Sequence, residues 1–217
     1  MWVMLSHKLS STTPCYDDGP RLEVQPVKQI AQGDSSNTFF LKLYNHLGTH
    51  VDAPNHFDVE GRKIHSYTAE ELVFEKPTLV DIPKNSGELI QDTDLHPFEH
   101  LLHKTDILLI RTGFQKFRQT DPMTYMRCGP CLSAEAAGYL RKFSNLRALG
   151  IDTISISSPL LREVGREAHR LLLKGRSFLI VEDMDLLGKP VDYKRVVIAP
   201  LLVEEVDSAP CTVLAEV

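Results

Sequence analysis

The segment Asn45-His46-Leu47-Gly48-Thr49-His50-Val51-Asp52-Ala53-Pro54-Asn55-His56-Phe57 contains the strongest functional pattern in this sequence. It places three histidines and one aspartate within eleven residues, and its glycine and proline oppose a regular helix. All four side chains occupy even positions, so in an extended chain they project from one face. Gly48 adds no side chain to that face, which leaves space for a cation and a substrate. The pattern predicts a metal site, and its mixture of imidazole and carboxylate suits Zn²⁺ or Mn²⁺.

The whole chain is long enough to fold without help from a metal. With 217 residues, 42% of them hydrophobic, it can bury a full core, and we expect a single domain over residues 1–217. The net charge is −5 and no basic stripe is present, so nucleic acid is not an expected partner. No apolar run has the length of a membrane span, and no signal peptide is recognisable. The four scattered cysteines agree with a reducing compartment, so we expect a cytoplasmic protein.

Hydrophobic periodicity and helix-capping residues predict the order of the secondary structure. Strands are expected at residues 3–9, 22–30, 38–44, 78–82, 106–111, 148–156, 178–182, 195–203 and 212–217, and helices at 68–71, 92–103, 133–143 and 159–174. Ser133 is the expected N-cap of the helix at 133–143, and Gly175 is expected to end the helix at 159–174. A β-rich first part followed by alternating strands and helices predicts an α/β domain with a mixed central sheet.

The second half of the chain offers two further metal ligands. His169 lies late in the helix that Gly175 ends, and Glu182 ends the apolar run Phe178-Leu-Ile-Val. A strand that runs back beside a helix brings such side chains towards one site. His169 alone is typical of a helix surface, whereas a buried ionised carboxylate such as Glu182 needs a cation or strong donors.

The histidine motif resembles the signature of the metal-dependent cyclase-family hydrolases, which include kynurenine formamidases and isatin hydrolases. The resemblance is carried by His46-x-Gly48-Thr49-His50-x-Asp52-x-Pro54-x-His56. It extends, in the family's order, to Leu5-Ser6-His7-x-Leu9-Ser10, Gly150-Ile151-Asp152-Thr153, Ala168-His169-Arg170 and Glu182. It implies a swivelling β/β/α fold and assembly as a homodimer or larger homo-oligomer.

The same resemblance implies roles for individual residues. His46, His50 and Asp52 would hold one cation, and His169 would hold a second that shares Asp52 and Glu182, while His56 would be the acid/base residue. Two departures stand out: Tyr16 replaces a tryptophan that is typical of kynurenine formamidases, and serines follow Asp152-Thr153 where an aspartate is common. Tyr16 either contacts the substrate or packs within its loop.

A metal-activated water would let this site hydrolyse a C–N bond in a small amide, formamide or cyclic amide, as an arylformamidase does. Two alternatives stay open. Cys128-Gly129-Pro130-Cys131 matches a thiol-disulfide redox motif that precedes a helix, although the residues before it are loop-like. The metal could also be structural, in a binding module without catalysis.

Overall fold

The computed structural model describes the whole chain, Met1–Val217, and contains thirteen strands. They are β1 (Trp2–Met4), β2 (Glu23–Lys28), β3 (Thr38–Lys42), β4 (His50–Asp52), β5 (Val73–Phe74), β6 (Pro77–Asp81), β7 (Leu89–Ile90), β8 (Ile107–Arg111), β9 (Cys131–Leu132), β10 (Ala148–Ile151), β11 (Leu179–Glu182), β12 (Arg195–Pro200) and β13 (Ser208–Glu216). Nine of them form one mixed sheet in the order β5-β12-β13-β4-β11-β10-β8-β6, with β1 also paired to β13.

The sheet has a parallel half and an antiparallel half that meet at β4. Strands β6, β8, β10 and β11 run parallel, whereas β4 is antiparallel to both of its neighbours, β11 and β13. All three residues of β4 are buried. The short strand that carries His50 and Asp52 therefore lies in the middle of the sheet, where it is fixed from both sides.

Six α-helices accompany the strands: α1 (Asp92–Leu95), α2 (Glu99–Leu102), α3 (Phe117–Thr120), α4 (Pro122–Arg127), α5 (Ala134–Leu140) and α6 (Arg162–Leu173). The Ser133 hydroxyl accepts a hydrogen bond from the backbone N–H of Ala136, as an N-cap does. Gly175 follows α6 with a φ of +70°, in the left-handed region that ends helices. No helix of this chain has the length and apolar character needed to cross a membrane.

Alternating residues of the strands face two separate apolar cores. In β8, Leu108 and Ile110 pack with helices α5 and α6, whereas Ile107 and Leu109 pack with residues of the antiparallel strands such as Val196. The period of two therefore places a helical layer on one face of the parallel strands and the antiparallel strands on the other. This arrangement confirms the predicted α/β class, the mixed sheet and the swivelling β/β/α fold.

Several predicted elements are shorter than expected. Strand β1 ends at Met4 rather than residue 9. Beyond it, the Leu5 N–H still donates to the Val213 carbonyl, and Ser6 forms only an isolated bridge to Met184. The helix predicted at 92–103 is broken into α1, a 3₁₀ turn and α2 around Pro97, which has no backbone N–H to donate. Strand β10 ends at Ile151, where Asp152 leaves the sheet.

Candidate metal centre and active site

The neighbours of β4 place three ligand candidates on one face of the sheet. His50 and Asp52 are two residues apart, and Glu182 of β11 is paired directly opposite His50. His50 Nε2 lies 3.3 Å from a Glu182 carboxylate oxygen and 3.6 Å from Asp52 Oδ1. All three side chains are almost completely buried.

His46 reaches the same point from a turn rather than from the strand. Its Nδ1 lies 3.1 Å from Asp52 Oδ1. The expectation that residues 46 to 56 form one extended face was wrong, because only His50–Asp52 is a strand and His56 lies in the 3₁₀ turn Pro54–His56. The expected role of Gly48 was also wrong: its φ is +67°, and an added Cβ would lie 2.3 Å from Leu9, so the glycine permits a turn and close packing.

Helix α6 brings His169 to this point from the second half of the chain. His169 Nε2 lies 3.3 Å from Glu182 Oε1 and 3.9 Å from Asp52 Oδ2. The helix approaches so closely because Gly165 lies against Ser157, where an added Cβ would be 2.2 Å from the Ser157 hydroxyl. Glu182 Oε1 also accepts hydrogen bonds from the Ser155 hydroxyl and the Ile156 backbone N–H.

Each of the three histidines uses one ring nitrogen outside the cluster. His50 Nδ1 lies 2.8 Å from the Gly48 carbonyl oxygen, and His169 Nδ1 lies 2.8 Å from the Gly165 carbonyl oxygen. A carbonyl can only accept, so Nδ1 carries a proton in both rings and Nε2 is the nitrogen that faces the centre. His46 shows the reverse arrangement, with Nε2 outward, 3.0 Å from Asp207 Oδ2, and Nδ1 inward. This is how metal-binding histidines are oriented in proteins.

The residues present fit a divalent cation. The Asp52 side chain is completely shielded from solvent, and neither of its carboxylate oxygens has a hydrogen-bond partner. Nε2 of His50 is also buried without a partner. Such orphaned groups cost free energy unless something else satisfies them. Two sets of three ligand atoms lie close enough to share an ion, namely those of His46, Asp52 and His56 and those of His50, Asp52 and Glu182.

Charges within the cluster stabilise one another strongly. Burial by itself lowers the pKa of His46, but the carboxylates of Asp52 and Asp207 outweigh it and raise that pKa to about 10. Burial raises the pKa of Glu182, yet its contacts with His169 and His50 hold that pKa well below the usual range. The histidines thus tend to hold protons beside the carboxylates when no cation is bound. A cation placed there would displace those protons.

His56 lies at the edge of the cluster beside a carboxylate that sequence analysis missed. His56 Nδ1 is 2.6 Å from Asp207 Oδ2, and the same oxygen contacts His46. Asp207 precedes β13, and its backbone carbonyl accepts a hydrogen bond from Ala53 N–H, which fixes it beside the motif. Nothing in the sequence around Asp207 marks it as functional, since its position depends on the pairing of β13 with β4. With Nδ1 bound to Asp207, Nε2 of His56 is left for other chemistry.

A cavity of about 230 Å³ opens onto the cluster. His46, His50, His56, His169 and Glu182 line its floor. Tyr16, the predicted substrate residue, lines its wall from the N-terminal loop, with its hydroxyl 3.3 Å from the Ser157 hydroxyl. The structure therefore brings all seven predicted site residues to one place, Asp52 lying just beneath the floor.

Other candidate residues lie elsewhere. Asp152, from the family-like segment 150–153, accepts hydrogen bonds on its carboxylate from Thr112 and the Gly113 backbone N–H, so it fixes a turn. Cys131 is buried, and burial raises its pKa to about 11. A nucleophilic thiol needs the opposite shift, so Cys131 is poorly suited to attack in the redox alternative.

Comparison with known proteins agrees with this geometry. The family model described as putative cyclase matches residues 3–158. The chain belongs to the cyclase family. The resemblance drawn from the histidine motif is thereby confirmed, and all ligand candidates except His169 and Glu182 lie within the matched residues.

One curated relative and one solved structure extend the likeness over nearly the full chain. Kynurenine formamidase of Geobacillus thermodenitrificans is 27% identical over 215 residues, which cover 96% of this chain and 94% of the relative. An uncharacterized protein of Haemophilus influenzae is 33% identical over 116 residues, which cover 53% of this chain and 82% of that protein. The solved structure of isatin hydrolase A from Labrenzia aggregata, bound to benzyl benzoate, superposes with a TM-score of 0.84 at 22% identity, over 99% of this chain and 93% of that one. This last likeness concerns the fold.

Proposed function

We propose that this protein is a single-domain, metal-dependent hydrolase, residues 1–217, that uses activated water to cleave a C–N bond in a small amide, formamide or cyclic amide. The observation that carries the proposal is the Asp52 carboxylate, which is buried without hydrogen bonds among inward-facing histidine nitrogens. The alignment with a kynurenine formamidase over 96% of the chain supports the same reaction class.

We assign His46, His50 and Asp52 to one cation and His169, Glu182 and the shared Asp52 to a second, with Zn²⁺ or Mn²⁺ as the metal and one or two ions per chain. The inward ring nitrogens support this assignment, because each histidine is held by a hydrogen bond at its other nitrogen. The open cavity above these groups supports catalysis over a structural role, since structural zinc sites are closed by protein ligands.

A bound cation would lower the pKa of a water molecule and polarise the amide carbonyl. His56 is the residue that we assign to proton transfer. Asp207 accepts a hydrogen bond from the His56 Nδ1–H, so Nε2 can take a proton from water and return it to the departing nitrogen, which leaves poorly unless protonated. Asp207 also stabilises the imidazolium that forms in between. We place Tyr16 against the substrate at the cavity wall.

Hydrolysis of simple amides tests the proposal. Protein loaded with Zn²⁺ or Mn²⁺ should hydrolyse formanilide or a five-membered cyclic amide, and removal of the metal by a chelator should abolish the activity until metal is restored. His96→Ala is a matched control, because this exposed histidine contacts Asp92 far from the cavity; it should retain full activity. A metal-loaded protein that hydrolyses neither formamides nor cyclic amides would contradict the proposal.

We also propose that the protein assembles as a homodimer in the cytoplasm. The hairpin of β2 and β3 is exposed along its whole length, with Phe39, Phe40 and Leu41 each more than half exposed. An isolated two-stranded hairpin is marginally stable in water, so a second copy that covers these side chains would stabilise it. Light scattering should give twice the chain mass for the native protein and the chain mass for Phe40→Glu. The small number and scatter of the four cysteines support a reducing compartment.

A further inference from the structure

Two arginines form the outer wall of the cavity above the metal-binding residues. Arg162 and Arg166 lie one helical turn apart on α6 and line the cavity together with Tyr16 and Tyr44. His169 follows Arg166 by three residues on the same helix. Helix α6 therefore presents, in order towards the floor, two guanidinium groups and then a metal ligand.

The acidic partners of these arginines are not among the residues that line the cavity. Arg162 Nη2 lies 2.7 Å from Asp17, and Arg166 Nη1 lies 2.6 Å from Glu163, but neither carboxylate lines the cavity. Both arginine side chains are 45% exposed, and ion pairs with that exposure are weak. Each guanidinium has five N–H donors, so most of them are free to bind a further group.

The only carboxylate on the cavity surface is Glu182, on the floor. The lining of the outer wall therefore contains two guanidinium groups and no carboxylate, beside the rings of Tyr16, Tyr44 and Phe57. A guanidinium pair of this kind binds a carboxylate through paired hydrogen bonds, and the rings pack against an apolar or aromatic body.

We propose that Arg162 and Arg166 bind a carboxylate group of the substrate, so that the natural substrate is an anionic amide with an aromatic or apolar body. This inference rests on the proposed hydrolase function and names its substrate class. A helix rises about 1.5 Å per residue, so the two arginines begin roughly 4.5 and 10.5 Å above His169 along the axis. The carboxylate of the substrate is accordingly several bonds away from the amide that reacts.

Binding of matched ligands to the metal-loaded protein tests the inference without relying on turnover. The probes are para-aminophenylpropanoate and its neutral counterpart para-aminophenylpropanamide, which differ only in the terminal charge and are the amine products of the corresponding formamides. Calorimetry should show about tenfold or tighter binding of the carboxylate, the gain typical of charge-assisted hydrogen bonds. Equal affinity for the two probes would overturn the inference.

Variants identify the groups responsible for the preference. Arg166→Gln should reduce it several-fold and Arg162→Gln/Arg166→Gln should abolish it, while the neutral probe binds as before. Arg170→Gln is the matched control, because Arg170 lies on the same helix, pairs with Glu167 and does not line the cavity; its preference should match that of the native protein. A preference that survives in the double variant would show that the carboxylate binds the metal instead, and would overturn the inference.

Asp17→Asn separates recognition by Arg162 from a purely structural role. If Arg162 binds the substrate, removal of its competing partner keeps or increases the preference for the carboxylate. If Arg162 only anchors the N-terminal loop through Asp17, this variant loses affinity for both probes and excludes Arg162 from the site.

Hydrolysis of the two formamide precursors keeps the two proposals distinct. Faster hydrolysis of the anionic formamide, with the difference lost in the double variant, supports both. Binding that prefers the carboxylate without hydrolysis of either formamide supports the anion site and contradicts the hydrolase. Hydrolysis of both formamides at equal rates, with equal binding of their products, supports the hydrolase and contradicts the anion site.

Discussion

Gly165→Ala should destabilise this protein, although alanine is the better helix former. Gly165 lies inside α6, where replacement of glycine by alanine ordinarily stabilises a helix by about 1 kcal/mol. Here the new Cβ would lie 2.2 Å from the Ser157 hydroxyl oxygen and 2.5 Å from the Ser157 Cα. No change of side-chain rotamer moves a backbone atom, so α6 and the segment around Ser157 must separate.

The magnitude follows from the balance of these two effects. Overpacking of this kind costs about 1–3 kcal/mol, and contact with the backbone favours the upper end. With the helix propensity subtracted, the free energy of unfolding should fall by about 2 kcal/mol, or about 4–8 °C in Tm for a chain of this length. The shift should also move His169, whose Nδ1 donates to the Gly165 carbonyl, away from Glu182 and weaken metal binding.

Gly138→Ala in α5 is the matched control, because nothing lies within 4 Å of a Cβ added there. It should raise the free energy of unfolding by about 1 kcal/mol. Both variants should be unfolded in urea after removal of metal, so that weaker metal binding does not contribute to the difference. A Gly165→Ala protein as stable as Gly138→Ala would refute the close approach of α6 on which the position of His169 depends.

Three further substitutions test other parts of the structure. His56→Ala should keep its metal and lose about 10²–10⁴-fold in kcat, as expected for a proton-transfer residue; metal analysis showing an empty site would make His56 a ligand. Arg118→Met leaves the buried Asp183 without its cation and should lower the free energy of unfolding by about 3–5 kcal/mol in urea, whereas a loss below about 1 kcal/mol would contradict the buried pair. The hydrogen bond from Arg62 lowers the pKa of Glu71 to about 2 from 4.5, so this pair stabilises the fold above the usual pKa and ceases to do so as the pH falls through the lower value. The difference in the free energy of unfolding between native protein and Glu71→Gln, measured by thermal unfolding, should therefore be at most about 1 kcal/mol at neutral pH and should shrink in acid. A difference that does not change with pH would refute the lowered pKa of Glu71.

Locally determined features were predictable from the sequence. The cap at Ser133 and the helix end at Gly175 both appear in the structure, because each depends on residues within one or two turns. The helix predicted at 68–71 is a 3₁₀ turn, Glu70–Leu72, preceded by a capping box in which Thr68 and Glu71 bond each other's backbone N–H. The strand predicted at 106–111 agrees with β8 within one residue, since a short continuous apolar run bounded by polar residues is typical of a buried strand in an α/β fold.

Features that depend on distant pairing were not predictable. Asp207 reaches His46 and His56 only because β13 pairs with β4, and a lone aspartate in a loop carries no sign of that register. The turn at Gly48 breaks the even-position pattern, yet His46 still reaches the centre. The strand argument therefore indicated the correct residues for a partly incorrect reason, since convergence comes from a turn, a strand and a 3₁₀ turn together.

Metal content per chain is the most direct test of the metal-dependent site. Protein purified without chelator or affinity-tag metal should contain one or two equivalents of Zn or Mn by elemental analysis. Asp52→Asn, which keeps the side-chain shape, should contain almost none while its circular dichroism and thermal unfolding show a folded protein. Glu182→Gln should lose only the ion that it shares with His169. A folded native protein that is free of metal and cannot be loaded with Zn²⁺ or Mn²⁺ would contradict the metal centre and the hydrolytic function built on it.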